Sequence, residues 1–224
     1  DLAGTDEAPL SQEIIDLANQ LGGSPVNIYE FVRNNFKYEP YSGSLKGAAQ
    51  TLKEKGGNEW DQASLLIALY RASGIHARYV VGTVEIPIDK AMSWLGVENE
   101  NMAASLLATQ GRPTTRIISG GKITAIQTQQ VWVQAYVPFI STRGAVPGPG
   151  DTWVDIDPSF KDQTKAQTLN LTGTPLFDQA SYLTTLRPQS PEDFYLSQIQ
   201  GFLDINSPGH VPRALSRNLD ISLE

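Results

Sequence analysis

The chain has 224 residues, a net charge of −7 and a pI near 4.9, with 40% hydrophobic and 18% charged residues. That length and composition suit a globular protein with a sizeable core, while the acidic surface repels phosphate backbones and argues against nucleic acid as a partner. Zero cysteines exclude disulfides, zinc–thiolate centres and thiol nucleophiles together, and no apolar run approaches the roughly 20 residues that span a bilayer.

The opening stretch DLAGTDEAPLS has neither a basic nor an apolar segment of signal-peptide type, and residues 1–10 read as a loose arm. Ser11 is a good N-cap for a helix whose stripe is Ile14, Ile15, Leu17, Ala18 and Leu21, stopped by Gly22-Gly23. Ser24 and Pro25 open a second helix with Ile28, Phe31, Val32 and Phe36 on its apolar face. After extended chain at 36–40, a short helix within 43–55 turns Ala48, Ala49 and Leu52 inward. Asn58 caps the central helix, with Asp61 at the third helical position of a capping-box-like arrangement. From Ala63 to Ala72 that helix is apolar on most sides, so it must be buried all round, and Gly74 ends it.

Ala77 to Ile86 alternates as a strand does. Residues 89–110 form a helical insertion around Ala91, Met92, Trp94, Leu95, Met102, Leu106 and Leu107. Strands at 116–119 and 122–127 flank Gly120-Gly121, a hairpin signature, and two more strands follow at 131–137 and 153–156 across a Pro/Gly-rich loop. Helices first and an antiparallel meander later predict an α+β fold. Beyond residue 161 the chain turns polar until an amphipathic helix bearing Phe194, Leu196, Ile199, Phe202 and Leu203. The expected organisation is a core over 1–161, with an arm and helix at 1–24 and the insertion at 89–110, and an appendage over 162–224 that wraps it.

Three segments carry a family signal: GGNEWDQASLLIALYRASGIHARYVVG (56–82), QQVWVQAYV (129–137) and WVDIDPS (153–159). In order and spacing they resemble the core of the transglutaminase-like superfamily, over about residues 25–161. The resemblance implies a papain-like α+β core in which N-terminal helices and a buried central helix pack on an antiparallel sheet. It also implies a triad: Cys at the start of the central helix, His on a following strand, Asp on the next. At the matching positions stand Glu59, Gln130 and Asp157. His76 stands where the family's helix-to-strand turn usually has Pro.

A thiol at a helix N-terminus is activated by the dipole and a nearby imidazole. Glu59, stabilised there as an anion, is a poor nucleophile toward amides. Gln130 cannot shuttle a proton near neutral pH, and Asp157 has no ring to orient. The resemblance therefore implies a vestigial triad in a catalytically inactive domain. Its role would be as a protein- or glycan-interaction or scaffold module of a larger bacterial protein, at a secreted, periplasmic or cell-surface location. The alternative is a glycosidase-like hydrolase using Glu59 and Asp157 as paired carboxylates, about 5–10 Å apart across an open cleft. Trp60 and Trp132 flank the site and are candidate ligand-binding residues on which a sugar ring could stack, although either suits a core. Plainer roles exist for the triad positions too: a helix-start acid, a structural amide and a polar sheet face. His76 and His210 are too few for a metal site, and Asp151, Asp155 and Asp157 lack the calcium-loop pattern. No metal and no cofactor are expected; the expected partners are a peptide or glycan ligand and the rest of a larger polypeptide.

Overall fold

The computed structural model describes residues 2–140, 143–146, 148–161, 173–184 and 190–206. Helices α1 (Gln12–Gln20) and α2 (Pro25–Asn35) start where Ser11 and Ser24 accept the N–H groups of Ile14 and Asn27. Short β1 (Lys37–Tyr38) leads through α3 (Gly47–Glu54) to β2 (Gly56–Gly57), and β1 and β2 pair in parallel. Helix α4 (Glu59–Ala72) follows at once, and every residue from Asp61 to Arg71 is buried. Such a helix cannot be amphipathic; α1, α2, α3 and the sheet surround it. The N-terminal arm is not loose. Ala8 is fully buried, the Glu7 carbonyl accepts from Ala48 N at 2.8 Å, and Arg71 Nη1 donates to the Ala3 carbonyl at 2.8 Å.

Strand β3 (Ala77–Pro87) runs into α5 (Ile88–Leu95) and α6 (Glu100–Thr109), the helical insertion. Met102 lies on the outer side of α6 and is exposed, contrary to the inward stripe expected of it. Strands β4 (Thr114–Ser119) and β5 (Lys122–Val137) form a hairpin across Gly120 and Gly121, whose φ of 60° and 78° suit a two-residue turn. The two strands expected at 122–127 and 131–137 are one continuous strand: β3 pairs with β5 without a break from Ala125 to Ala135. A small hairpin, β6 (Phe139–Ile140) with β7 (Gly144–Ala145), precedes β8 (Thr152–Ile156).

Strand β5 organises the sheet. One edge pairs with β3; the other pairs with β4 from Lys122 to Thr128 and with β8 from Val133 to Val137. Residues 129–132 therefore face neither β4 nor β8 in register. Side chains alternate along the strand. Val131, Val133, Ala135 and Val137 join the core around α4. Ile126 faces the other way, into a second core built by Ile86, Trp94, Ala104 and Leu107 beneath α5 and α6.

The chain divides into two compact units, residues 1–163 and residues 164–222. Within the second, α7 (Gln179–Thr184), which the sequence pattern did not announce, and α8 (Pro191–Asn206) share an aromatic cluster. Phe177 lies edge-on to Phe194 at 5.9 Å, and Tyr182 is 5.4 Å from Phe194. Ser190 Oγ caps α8 by accepting from Asp193 N at 3.1 Å. The rest of the polar stretch after residue 161, the tail beyond 206 and His210 lie outside the described residues.

Candidate functional site

The unpaired window of β5 is where the triad positions meet. Gln130 points into it from the strand; Asp157 follows the last residue of β8; Glu59 is the first residue of α4. The first turn of α4 is fixed by two side chains. Asn58 Oδ1 accepts from Asp61 N at 3.0 Å, and Asp61, fully buried, gathers the loop before α3. Its carboxylate accepts from the N–H groups of Gly47 at 2.8 Å, Lys46 at 3.1 Å and Leu45 at 3.3 Å, from Ser44 Oγ at 3.1 Å, and from the Tyr41 hydroxyl.

The residue that ties the site together is Arg112, two positions before β4. Its Nη2 lies 2.5 Å from Glu59 Oε2, and its Nη1 donates to Gln130 Oε1 at 2.6 Å. Nη2 also reaches the Tyr38 hydroxyl at 2.5 Å and Gln110 Oε1. The Tyr38 oxygen is 3.0 Å from Gln110 Oε1 and 3.3 Å from Glu59 Oε2, either of which takes its proton. On the far side, Gln130 Nε2 donates to Asp157 Oδ2 at 2.9 Å and to Ser159 Oγ at 3.2 Å. The other oxygen of Asp157 accepts from Ser159 N at 2.8 Å, Ser159 Oγ at 2.7 Å and Phe160 N at 3.2 Å. A connected path thus runs Glu59–Arg112–Gln130–Asp157, with the amide oriented by a cation at its oxygen and an anion at its nitrogen.

Burial decides the electrostatics. It pushes the Glu59 carboxyl above its ordinary value, opposed by the Arg112 guanidinium and by the residue's own helix-start N–H. Arg112 Nε and Gln110 Nε2 are buried donors without a partner among the described residues. Burial, reinforced by Glu59, raises the Tyr38 hydroxyl far beyond its ordinary range, so it stays protonated. Behind the site, Lys161 is buried and donates to the Phe36 carbonyl and to Gln62 Oε1 at 2.9 Å. Burial lowers its pKa to about 7, against the pull of Asp157.

Glu59, Gln130 and Asp157 are thus brought into one network, with Glu59 and Asp157 bridged by two side chains, Arg112 and Gln130. Gln130 does not bridge both acids, as an amide with two donors could; Arg112 takes the Glu59 side. Trp60 packs 6.0 Å from Tyr79 against the α4 core, whereas Trp132 lines a cleft on the opposite face of the sheet. His76 is exposed at the turn before β3. Among the described residues, no group of three or more His, Cys, Asp or Glu could hold a metal, and no helix is long and apolar enough to cross a membrane. Sequence reasoning missed Arg112, Tyr38, Gln110 and Lys161. The available signal was indirect: two acids expected in one buried site call for a cation, but nothing local in Gln-Gly-Arg-Pro says that Arg112 is the one.

The family profile described as the transglutaminase-like superfamily matches residues 8–158. Among solved structures, a proposed cysteine protease from Cytophaga hutchinsonii is similar at 19% identity and a TM-score of 0.42, over 70% of this chain and 40% of that protein. The chain spans less than half the length of that relative. No curated protein matches.

Proposed function

The chain belongs to the transglutaminase-like superfamily, with an α+β papain-like core, and we propose that it is a non-catalytic member acting as an interaction or scaffold module. The observation that carries this reading is Arg112. Its guanidinium occupies the space between Glu59 and Gln130, pairs the one and holds the amide of the other. Acyl transfer needs a nucleophile, a proton shuttle and room for an acyl group. Here the nucleophile position bears an ion-paired carboxylate, the shuttle position bears an amide without a titratable proton, and the space is filled. Residues 1–161 would be the module proper, and 162–224 an appendage to it within a larger bacterial polypeptide.

The paired-carboxylate reading is weaker on the same geometry. A glycosidase needs one acid protonated and facing the substrate and another ionised near it. Glu59 is paired with Arg112 and does not line the cleft that Asp157 reaches.

The test is activity with intact-mass detection. Hydrolysis of peptides and incorporation of a fluorescent amine into glutamine-rich protein should both stay at background. An acyl adduct trapped on any residue of the chain would overturn the proposal.

A further inference from the structure

On the sheet face away from α4, the cover provided by α5 ends short of β8. A cleft of about 500 Å³ opens there, within the range of small-molecule sites. Val84, Ile86, Pro87 and Phe160 form apolar walls, and the indole of Trp132 forms one side. That indole is held at both ends. Its Nε1 donates to Asp155 Oδ1 at 2.7 Å, and its six-membered ring crosses Gly82, where an added Cβ would lie 2.6 Å from Cη2. A ring so fixed loses little freedom when a ligand stacks on it.

The polar groups of the cleft are unequally engaged. Gln130 and Asp157 are consumed by the network around Arg112. Asp155 commits one oxygen to Trp132, and its second oxygen has no partner among the described residues; Lys90 also lines the cleft and is engaged elsewhere, while Glu85, paired with Gln127, turns its side chain to the other face of the sheet. An open carboxyl oxygen accepts, so a ligand that meets Asp155 brings a donor. It must also bring a C–H face to cover the indole and the apolar walls. A pyranose ring does both: axial C–H groups on one face, hydroxyl donors around the rim.

We infer that this cleft is a carbohydrate-binding site in which a pyranose stacks on Trp132 and donates a hydroxyl hydrogen bond to Asp155. The inference deepens the interaction-module reading above and rests on it for the absence of turnover. The sequence offers both Trp60 and Trp132 as stacking surfaces; the cleft, the anchored ring and the open Asp155 oxygen give Trp132 a setting that Trp60 lacks.

Affinity electrophoresis of the full chain in gels containing soluble neutral polysaccharides (hydroxyethylcellulose, xylan, glucomannan, glycogen, glycol chitin) tests it. Retardation by at least one of them is expected. It should weaken by about tenfold or more in Trp132→Ala and fall in Asp155→Ala, but persist in Trp153→Ala, which lies elsewhere on the sheet. Circular dichroism establishes that each variant is folded. No retardation by any polysaccharide would overturn the inference while leaving the non-catalytic reading intact. So would retardation unchanged in folded Trp132→Ala and Asp155→Ala, or binding of tetramethylammonium at Trp132 with no sugar bound. Release of new reducing ends during incubation would instead sink the non-catalytic reading and leave the binding site standing.

Discussion

Arg112 and Glu59 form an ion pair at 2.5 Å with their side chains only 7% and 4% exposed. At that burial the pair belongs to the regime where removing one partner strands a charge, which costs about 3–5 kcal/mol.

Arg112→Met should therefore destabilise the fold by about 3 kcal/mol or more. Glu59→Gln should exceed the ~1 kcal/mol of a lost helix-start contact, because it leaves a buried guanidinium short of its counter-charge. The double variant should lose clearly less than the sum of the two. Urea unfolding of all four proteins measures this, and strictly additive losses would mean that the two side chains are energetically independent.

Gln130→Leu keeps the volume and removes every polar contact of the amide. Arg112 Nη1 and Asp157 Oδ2 each lose a partner, for an expected loss of about 1–3 kcal/mol. Stability equal to the parent would show that the amide is incidental to the site.

Lys161 predicts a pH dependence. Burial holds its folded pKa at about 7, well below the unfolded value of 10.5. Between those values the unfolded chain binds a proton that the folded one does not, so folding stability from this group rises with pH above about 7, by about 1.4 kcal/mol per unit. That contribution is lost as pH falls toward 7. A neutral amine has two hydrogens, enough for the Phe36 carbonyl and Gln62 Oε1. Lys161→Met should flatten the stability profile between pH 7 and 10; a slope unchanged in that variant would assign the effect to other groups.

The sequence made the helices legible because their signals are local. Ser11, Ser24 and Asn58 each cap the helix that follows them, and the all-apolar run of α4 has one physical solution, full burial. The long strand β5 was read as two because Thr128, Gln129 and Gln130 interrupt the apolar pattern. Thr128 still pairs with Thr114, but Gln129 and Gln130 fall where the strand has left β4 and not yet met β8. The site was legible only in part for the same reason. Glu59, Gln130 and Asp157 lie in patterned elements, whereas Arg112 lies between elements and acquires its role from tertiary contacts alone.

Asp61→Ala tests whether the start of α4 is imposed by its surroundings. Five donors converge on that carboxylate, so its removal orphans several buried groups together. A loss of about 4 kcal/mol or more is expected, at the far end of single-substitution effects. A loss near 1 kcal/mol by thermal or urea unfolding would show that water replaces the carboxylate.

The window in β5 has a consequence for assembly. Its bridging contacts are long-range: 74 residues separate Tyr38 from Arg112, 53 separate Glu59 from Arg112, and 27 separate Gln130 from Asp157. Each contact closes a long loop, and such closures come late and slow the rate at which a chain reaches its native state. The guanidinium meets its carboxylate and the Gln130 amide only once the start of α4 and strand β5 lie side by side. The bridged pair is thus a latch between distant segments: it forms only where the start of α4 and the turn before β4 have been brought together by the rest of the fold.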